Sequence, residues 1–353
     1  MPQDMKWNLK MVRATQALAM LPRVSGSDDE IDWGEVEVAH IDTGATRHSV
    51  FGPWIGDDSP VLEPARGLNL QETGQPPFDP MTYRGFPGHG TRTQSVLCAD
   101  LPGDFVGVAP GLPTVPYRVT NSVVIASRRT QKKVAAAIRH AVDVSNCEVV
   151  SISLGHIMPG LIKNPMGAAV DHAYENGVII VAAGGQGVDR VTYPGKFFRS
   201  IGCGGVKPNR EVWWEYAKPE SDETGTDQTQ FVDVWGPADE VLRANSKLAN
   251  GDVVDGELKE GDGTSYATVH VAAAAGMWLA FHGSERLDAA YPEPWQRIEA
   301  FRKLLKGTKQ DIVGDYQPSN GSGILDIKAV LEAGLPAAES LEKETRPAEG
   351  QNM

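Results

Sequence analysis

The sequence predicts an α/β fold, a three-layer sandwich with a central, mostly parallel, twisted sheet flanked by helices. Three observations predict it. Apolar runs of strand length recur along the chain, and segments with apolar residues at helical spacing lie between them. At 353 residues the chain is long enough to cover such a sheet on both faces.

The first strand is VEVAHID (36–42), and TRTQSVLCA (91–99) is the first helical pattern. QKKVAAAIRHAVDVS (131–145) sets its apolar residues at helical spacing and leads into a second strand, EVVSISL (148–154). MGAAVDHAYEN (166–176) separates that strand from GVIIVAAG (177–184), and FRSIGCGGV (198–206) follows. FVDVW (231–235), an Ala-rich helix after Ser265, and PWQRIEAFRKLLKG (294–307) with its glycine at a C-cap complete the pattern. One domain over 1–335 is expected, interrupted by irregular insertions at 52–88 and 207–262. Residues 336–353 read as a disordered tail.

Composition narrows the function classes. Hydrophobic residues make up 41% and charged residues 22%, as in a soluble globular protein. The net charge of −13, from 33 basic and 46 acidic side chains, argues against nucleic-acid and anionic-membrane partners. The N-terminus lacks the apolar core of a secretory signal, no apolar run is long enough to span a bilayer, and Cys98, Cys147 and Cys203 are an odd number in apolar segments. A cytoplasmic location with buried free thiols is therefore expected, unless a secretory leader precedes the sequence.

Three element boundaries carry chemistry. Asp42 ends the apolar strand VEVAHID before a Thr-Gly turn, His89 opens a helix between Gly88 and Gly90, and Ser265 opens the Ala-rich helix. Alone, each has an ordinary use as a turn former, a helix start or an N-cap. Together they are the parts of an acyl-transfer site, with a hydroxyl nucleophile, an imidazole to take its proton and a carboxylate to orient the imidazole.

With these motifs, taken in the order Asp, His, Ser, the chain resembles the subtilisin-like serine proteases. AHIDTG, HGTRTQSVLCA and GTSYATVHVAAAAG resemble that family's three catalytic motifs. GVAPGLPTVPYRV (107–119), VVSISLG (149–155), VIIVAAGGQG (178–187), YPGKFFRSIGCGGV (193–206) and GSGILDIKAVLEAG (321–334) resemble the landmarks around them, from about Trp7 to Gly334. The resemblance implies a serine endopeptidase acting through an acyl-enzyme, with Ser265 as nucleophile, His89 as general base and acid, and Asp42 orienting His89. It also implies an extended peptide or protein substrate added along Ser153, Leu154 and Gly155, with Ala183 and Gly184 walling the pocket for the P1 side chain.

The chain departs from the family in several places. Where the family has an oxyanion-binding Asn, this sequence has Gly185 followed by Gln186, and loss of one such donor costs roughly 3–4 kcal/mol. Gln186, with the same amide on a longer stem, is expected to substitute beside the Ser265 backbone N–H. Tyr266 and Val269 replace the family's usual Met and Pro, and His270 reads as a packed helix residue. Asp189 suggests a preference for Lys or Arg at P1, with Arg190 as its neighbour. No cofactor is required; Asp100 and Asp104 are the candidate calcium ligands, in a spacing that matches no calcium loop. No inhibitory prosegment is recognised, so restraint by a regulatory partner protein is one expectation. The alternative reading is a catalytically impaired pseudoprotease that binds peptides, whereas a nucleotide-binding domain is excluded because no Gly-x-Gly-x-x-Gly or Gly-Lys-Ser/Thr occurs.

Overall fold

The computed structural model describes residues 6–156, 165–216, 232–318, 320 and 322–351. Six parallel strands form the central sheet: β1 (Val38–Asp42), β2 (Thr114–Arg118), β3 (Val149–Ile152), β4 (Ile179–Ala183), β5 (Ile201–Val206) and β6 (Val234–Pro237), in the order β2-β1-β3-β4-β5-β6. Every residue of these strands is buried, which is why most of them read as apolar runs rather than alternating ones; β2, with Thr114, Pro116 and Arg118, does not. The pleat divides them between two cores. Val38, Val149, Ile179 and Val181 face one, whereas Ala39, Ile41, Val150, Ile152 and Ile180 face the other.

Helices cover both faces. α1 (His89–Cys98) and α4 (Thr264–His282) pack on one side, and α2 (Arg128–Asp143) and α3 (Pro165–Glu175) pair on the other. Ser127 caps α2 by accepting from Thr130 N, and the helix turns Val134, Ala137, Ile138 and Ala141 inward. α4 is buried along nearly its whole length against β3 to β6 and α1, so it has no polar face. Its small residues let that contact be close: a Cβ on Gly276 would meet Leu112 Cδ2 at 2.8 Å. α5 (Trp295–Gly307) lies beyond it; Gly307 is its last residue rather than its C-cap, which is Thr308. No described helix is long and apolar enough to cross a membrane.

Two expectations change. The insertion at 207–262 is not wholly irregular: β7 (Val241–Arg243) pairs with β10 (Lys259–Gly261), and β8 (Ser246–Ala249) pairs with β9 (Asp252–Asp255), all antiparallel. Residues 217–231 lie outside the described residues. The tail expected to be disordered instead packs as a strap over residues 336–351. Ala348 is fully buried, Asp171 accepts from the N–H groups of Ala348 and Glu349, and Arg199 donates to Glu344 O. A polar composition concealed this because most of the strap is held by its backbone groups meeting Asp171 and Arg199, with only Leu341 and Ala348 buried as apolar anchors.

Candidate active site

β1 ends on Asp42, which is fully buried, and its Oδ1 and Oδ2 lie 2.8 and 3.0 Å from His89 Nδ1. An ionised carboxylate can only accept, so Nδ1 carries the proton and Nε2 is left as the basic nitrogen. Burial by itself pushes the Asp42 carboxyl up. The charge and hydrogen bond of His89, together with the Thr43 N–H, hold it below its ordinary value.

The start of α1 is shaped for this pairing. Asp79, from the 52–88 insertion, accepts from Gly88 N, Met81 N and Tyr83 Oη, and Thr43 Oγ1 accepts from Gly90 N. Gly90 has no room for a side chain: a Cβ there would stand 2.1 Å from Gly44 O. Beneath the pair, the buried His40 on β1 contacts Thr93 Oγ1 through Nε2 at 3.0 Å, and Thr93 Oγ1 bonds His89 O. Burial pushes His40 down to about 4, so it stays neutral next to the carboxylate. Sequence reasoning passed over His40; its signal was a polar residue in an otherwise apolar strand.

Ser265 is not the N-cap of α4. Gly263 holds that position at φ 147°, a conformation suited to glycine, and no side chain caps the helix. Ser265 is the second residue of the helix, nearly buried, and its hydroxyl donates to Ser153 O at 3.3 Å, while Ser153 Oγ donates back to Ser265 O at 3.1 Å. Asp42 and His89 are thus joined, and α1 packs against α4. The expected Ser265–His89 bond is not formed, and among the described residues His89 Nε2 makes no hydrogen bond. The hydroxyl hydrogen goes to Ser153 O instead.

Gln186 reaches this corner. Gly185 N donates to Thr264 Oγ1 at 3.2 Å, so the one hydroxyl hydrogen of Thr264 goes to Gln186 Oε1 at 2.8 Å. That orients the amide so that Nε2 has no hydrogen-bond partner among the described residues. A Cβ on Gly263 would lie 3.5 Å from Gln186 Nε2 and 3.9 Å from Ser265 Cβ, so the amide and the nucleophile's residue both lie close to this glycine.

The other expected binding residues separate into walls and outliers. Ala183 and Gly184 end β4, and Leu154 is buried in the core. Thr192 lies between the two walls: a Cβ on Gly155 would stand 2.7 Å from its Oγ1 and one on Gly185 2.5 Å from its Cγ2. Its N–H donates to Gly184 O and its hydroxyl to Ala183 O. Asp189 does not line this space. Its side chain is 73% exposed and pairs with Arg190 at 3.5 Å. From the 207–262 insertion, Tyr216 Oη donates to Gly185 O and Trp214 Nε1 to Val188 O, and Trp213 packs on the core. His270 is engaged at both ring nitrogens, by Tyr266 O and Asn8 Nδ2. Asp100 and Asp104 flank the hairpin turn at 100–106; among the described residues no cluster of three or more His, Cys, Asp or Glu side chains is placed to hold a metal.

Comparison with known proteins places the chain in a family. The sequence profile of the Subtilase family matches residues 34–323. The chain belongs to the subtilase family. This subtilase is 26% identical over 256 residues to subtilisin DY of Bacillus licheniformis, covering 69% of the chain and 78% of that protein. It is 27% identical over 194 residues to alkaline serine exoprotease A of Vibrio alginolyticus, covering 54% of the chain and 31% of that protein. Among solved structures, MycP1 with the N-terminal propeptide removed matches at TM-score 0.65 and 18% identity, over 94% of this chain and 98% of that one. A protease from Pseudoalteromonas arctica matches at TM-score 0.67 and 19% identity, over 94% and 97%. At these identities the structures show the fold, and the family makes the subtilase a serine protease with a peptide or protein substrate.

Proposed function

We propose that this subtilase is a serine endopeptidase in which Ser265, His89 and Asp42 form the catalytic triad. The observation that carries the reading is the buried Asp42–His89 pair, which fixes the proton on Nδ1 and leaves Nε2 as a base facing away from the carboxylate. Substrate binding along Ser153 places a peptide N–H at the carbonyl that Ser265 now occupies, so the hydroxyl is released toward His89. Ser265 Oγ then attacks the scissile carbonyl carbon as its proton passes to His89 Nε2. The C–N bond breaks as that proton is delivered to the leaving amine, and water repeats the sequence on the ester. The Ser265 N–H, at the uncapped positive end of α4, and Gln186 Nε2 stabilise the oxyanion.

Thr192 leaves little depth between the walls, which supports a small, uncharged P1 residue in place of the basic one suggested by Asp189. Three buried free thiols support a reducing, cytoplasmic setting.

A fluorophosphonate probe tests the reading. Labelling is expected on Ser265 in the native chain and lost in Ser265→Ala, and His89→Ala is expected to slow it by about 10⁴–10⁶. An unlabelled native chain would favour the peptide-binding pseudoprotease instead.

A further inference from the structure

Along an extended segment, successive residues turn their main-chain groups to opposite sides, so Ser153 and Gly155 present theirs to the same side. Ser153 O contacts the attacking hydroxyl, so the peptide residue paired with it is the one whose carbonyl is cleaved, P1. In antiparallel pairing the residue opposite Gly155 is then two places toward the N-terminus, P3. Gly155 is not available to it. Its N–H donates to Val123 O at 3.0 Å and its carbonyl accepts from Ile125 N at 2.8 Å, so that segment 123–125 is already a parallel neighbour through Val124.

A side-chain latch keeps that neighbour in place. His156 Nδ1 donates to Ile125 O at 2.5 Å, and its Nε2 accepts from Gln131 Nε2 at 3.1 Å. His156 is nearly buried and its backbone pairs on the opposite side with Tyr193, so the ring has one orientation available. Ile125 is fully buried in the core beside α2, and a turn at Thr120–Ser122 holds the other end of the segment through side-chain hydrogen bonds to the Ser122 and Val124 N–H groups.

We infer that segment 123–125, latched by His156, closes the amino-terminal side of the substrate groove at P3, so that this subtilase reads only the P1 and P2 residues. A longer substrate must leave the groove at its third residue, and main-chain contacts beyond P2 contribute nothing to its capture. The inference rests on the proposed proteolytic site and specifies its substrate class as peptides recognised over two residues.

Peptidyl diphenyl phosphonates with alanine at P1, extended to P2, P3 and P4, measure groove occupancy as the second-order rate of Ser265 modification, without needing turnover. A simple alkyl fluorophosphonate, which needs no groove, runs alongside. The expected result is a gain from P1 to P2 and a change of less than threefold from P2 to P4. In His156→Ala, which removes the latch, the P2-to-P4 gain is expected to rise to tenfold or more while the P2 rate holds. A native chain that gains tenfold or more between P2 and P4 would overturn the closure while leaving the protease reading intact. If the alkyl probe also fails to label Ser265, the protease reading falls and this inference with it. Should His156→Ala not fold, the native length series decides alone.

Discussion

Thr264 shows how much a single hydroxyl decides. By accepting from Gly185 N it commits its hydrogen to Gln186 Oε1, and so leaves Nε2 of that amide without a hydrogen-bond partner among the described residues. Gln186→Ala is therefore expected to lower the acylation rate by about 10²–10³, read by single-turnover kinetics on a chromogenic peptide. An unchanged rate would mean that backbone N–H groups suffice. Thr192 is the second decisive side chain. Removing it in Thr192→Gly opens the space between Gly155 and Gly185, so kcat/KM for Leu or Phe at P1 relative to Ala should rise by about tenfold or more. The same substitution is expected to leave alkyl fluorophosphonate labelling at the native rate, because the triad does not touch Thr192. The charged neighbour that looked decisive in sequence, Asp189, pairs with Arg190 in solvent and should matter little to P1 choice.

At the scale of elements, five of the six sheet strands were legible because burial on both faces favours apolar runs, and α1 to α5 fall close to their predicted spans; the edge strand β2 was not, because Pro116 and the buried Arg118 break its apolar pattern. The paired strands of the 241–261 region were not, because short, partly exposed strands alternate too weakly to stand out among acidic residues. The 336–351 strap was misread for a related reason. Its fastening is Asp171 and Arg199, residues distant in sequence, and Gly167 on α3 gives Ala348 room to lie flat. A Cβ at Gly167 would stand 2.6 Å from Ala348 O, so Gly167→Val is expected to lift the strap and destabilise the fold by about 1–3 kcal/mol, measured by urea denaturation. Equal stability in the substituted chain would show the strap to be loosely attached.

For the whole molecule, pH dependence follows from histidines that folding keeps neutral. Burial pushes His40, His270 and His282 from 6.5 down to about 4. Between those values the unfolded chain binds more protons than the folded one, so stability rises with pH through that window and is lost as pH falls from about 6.5 toward 4. His40 and His270, both fully buried, each add up to ~1.4 kcal/mol per pH unit there, and His282 adds less. Asp42, held low, contributes in the same direction but only below its ordinary range, where its pairing is lost. Glu148, which burial pushes up to about 7, acts in the opposite sense over the same window and offsets about one histidine's share. Tm is thus expected to fall from pH 7 to 5 by less than three histidines would give, and His270→Gln should flatten the slope. A Tm independent of pH over that range would show these rings to be hydrated.

The sequence by itself determined the layered fold, the chain order of acid, imidazole and hydroxyl, and the missing oxyanion Asn, because each is written in local pattern: apolar runs, glycine-flanked turns and residue order. Tertiary structure decided which groups meet. It set the Asp42–His89 bond, the rest position of Ser265 on Ser153 O, the wedge at Thr192 and the pairing of 123–125 with Gly155. Those depend on hydrogen bonds and contacts between segments tens of residues apart, whose partners local pattern does not name.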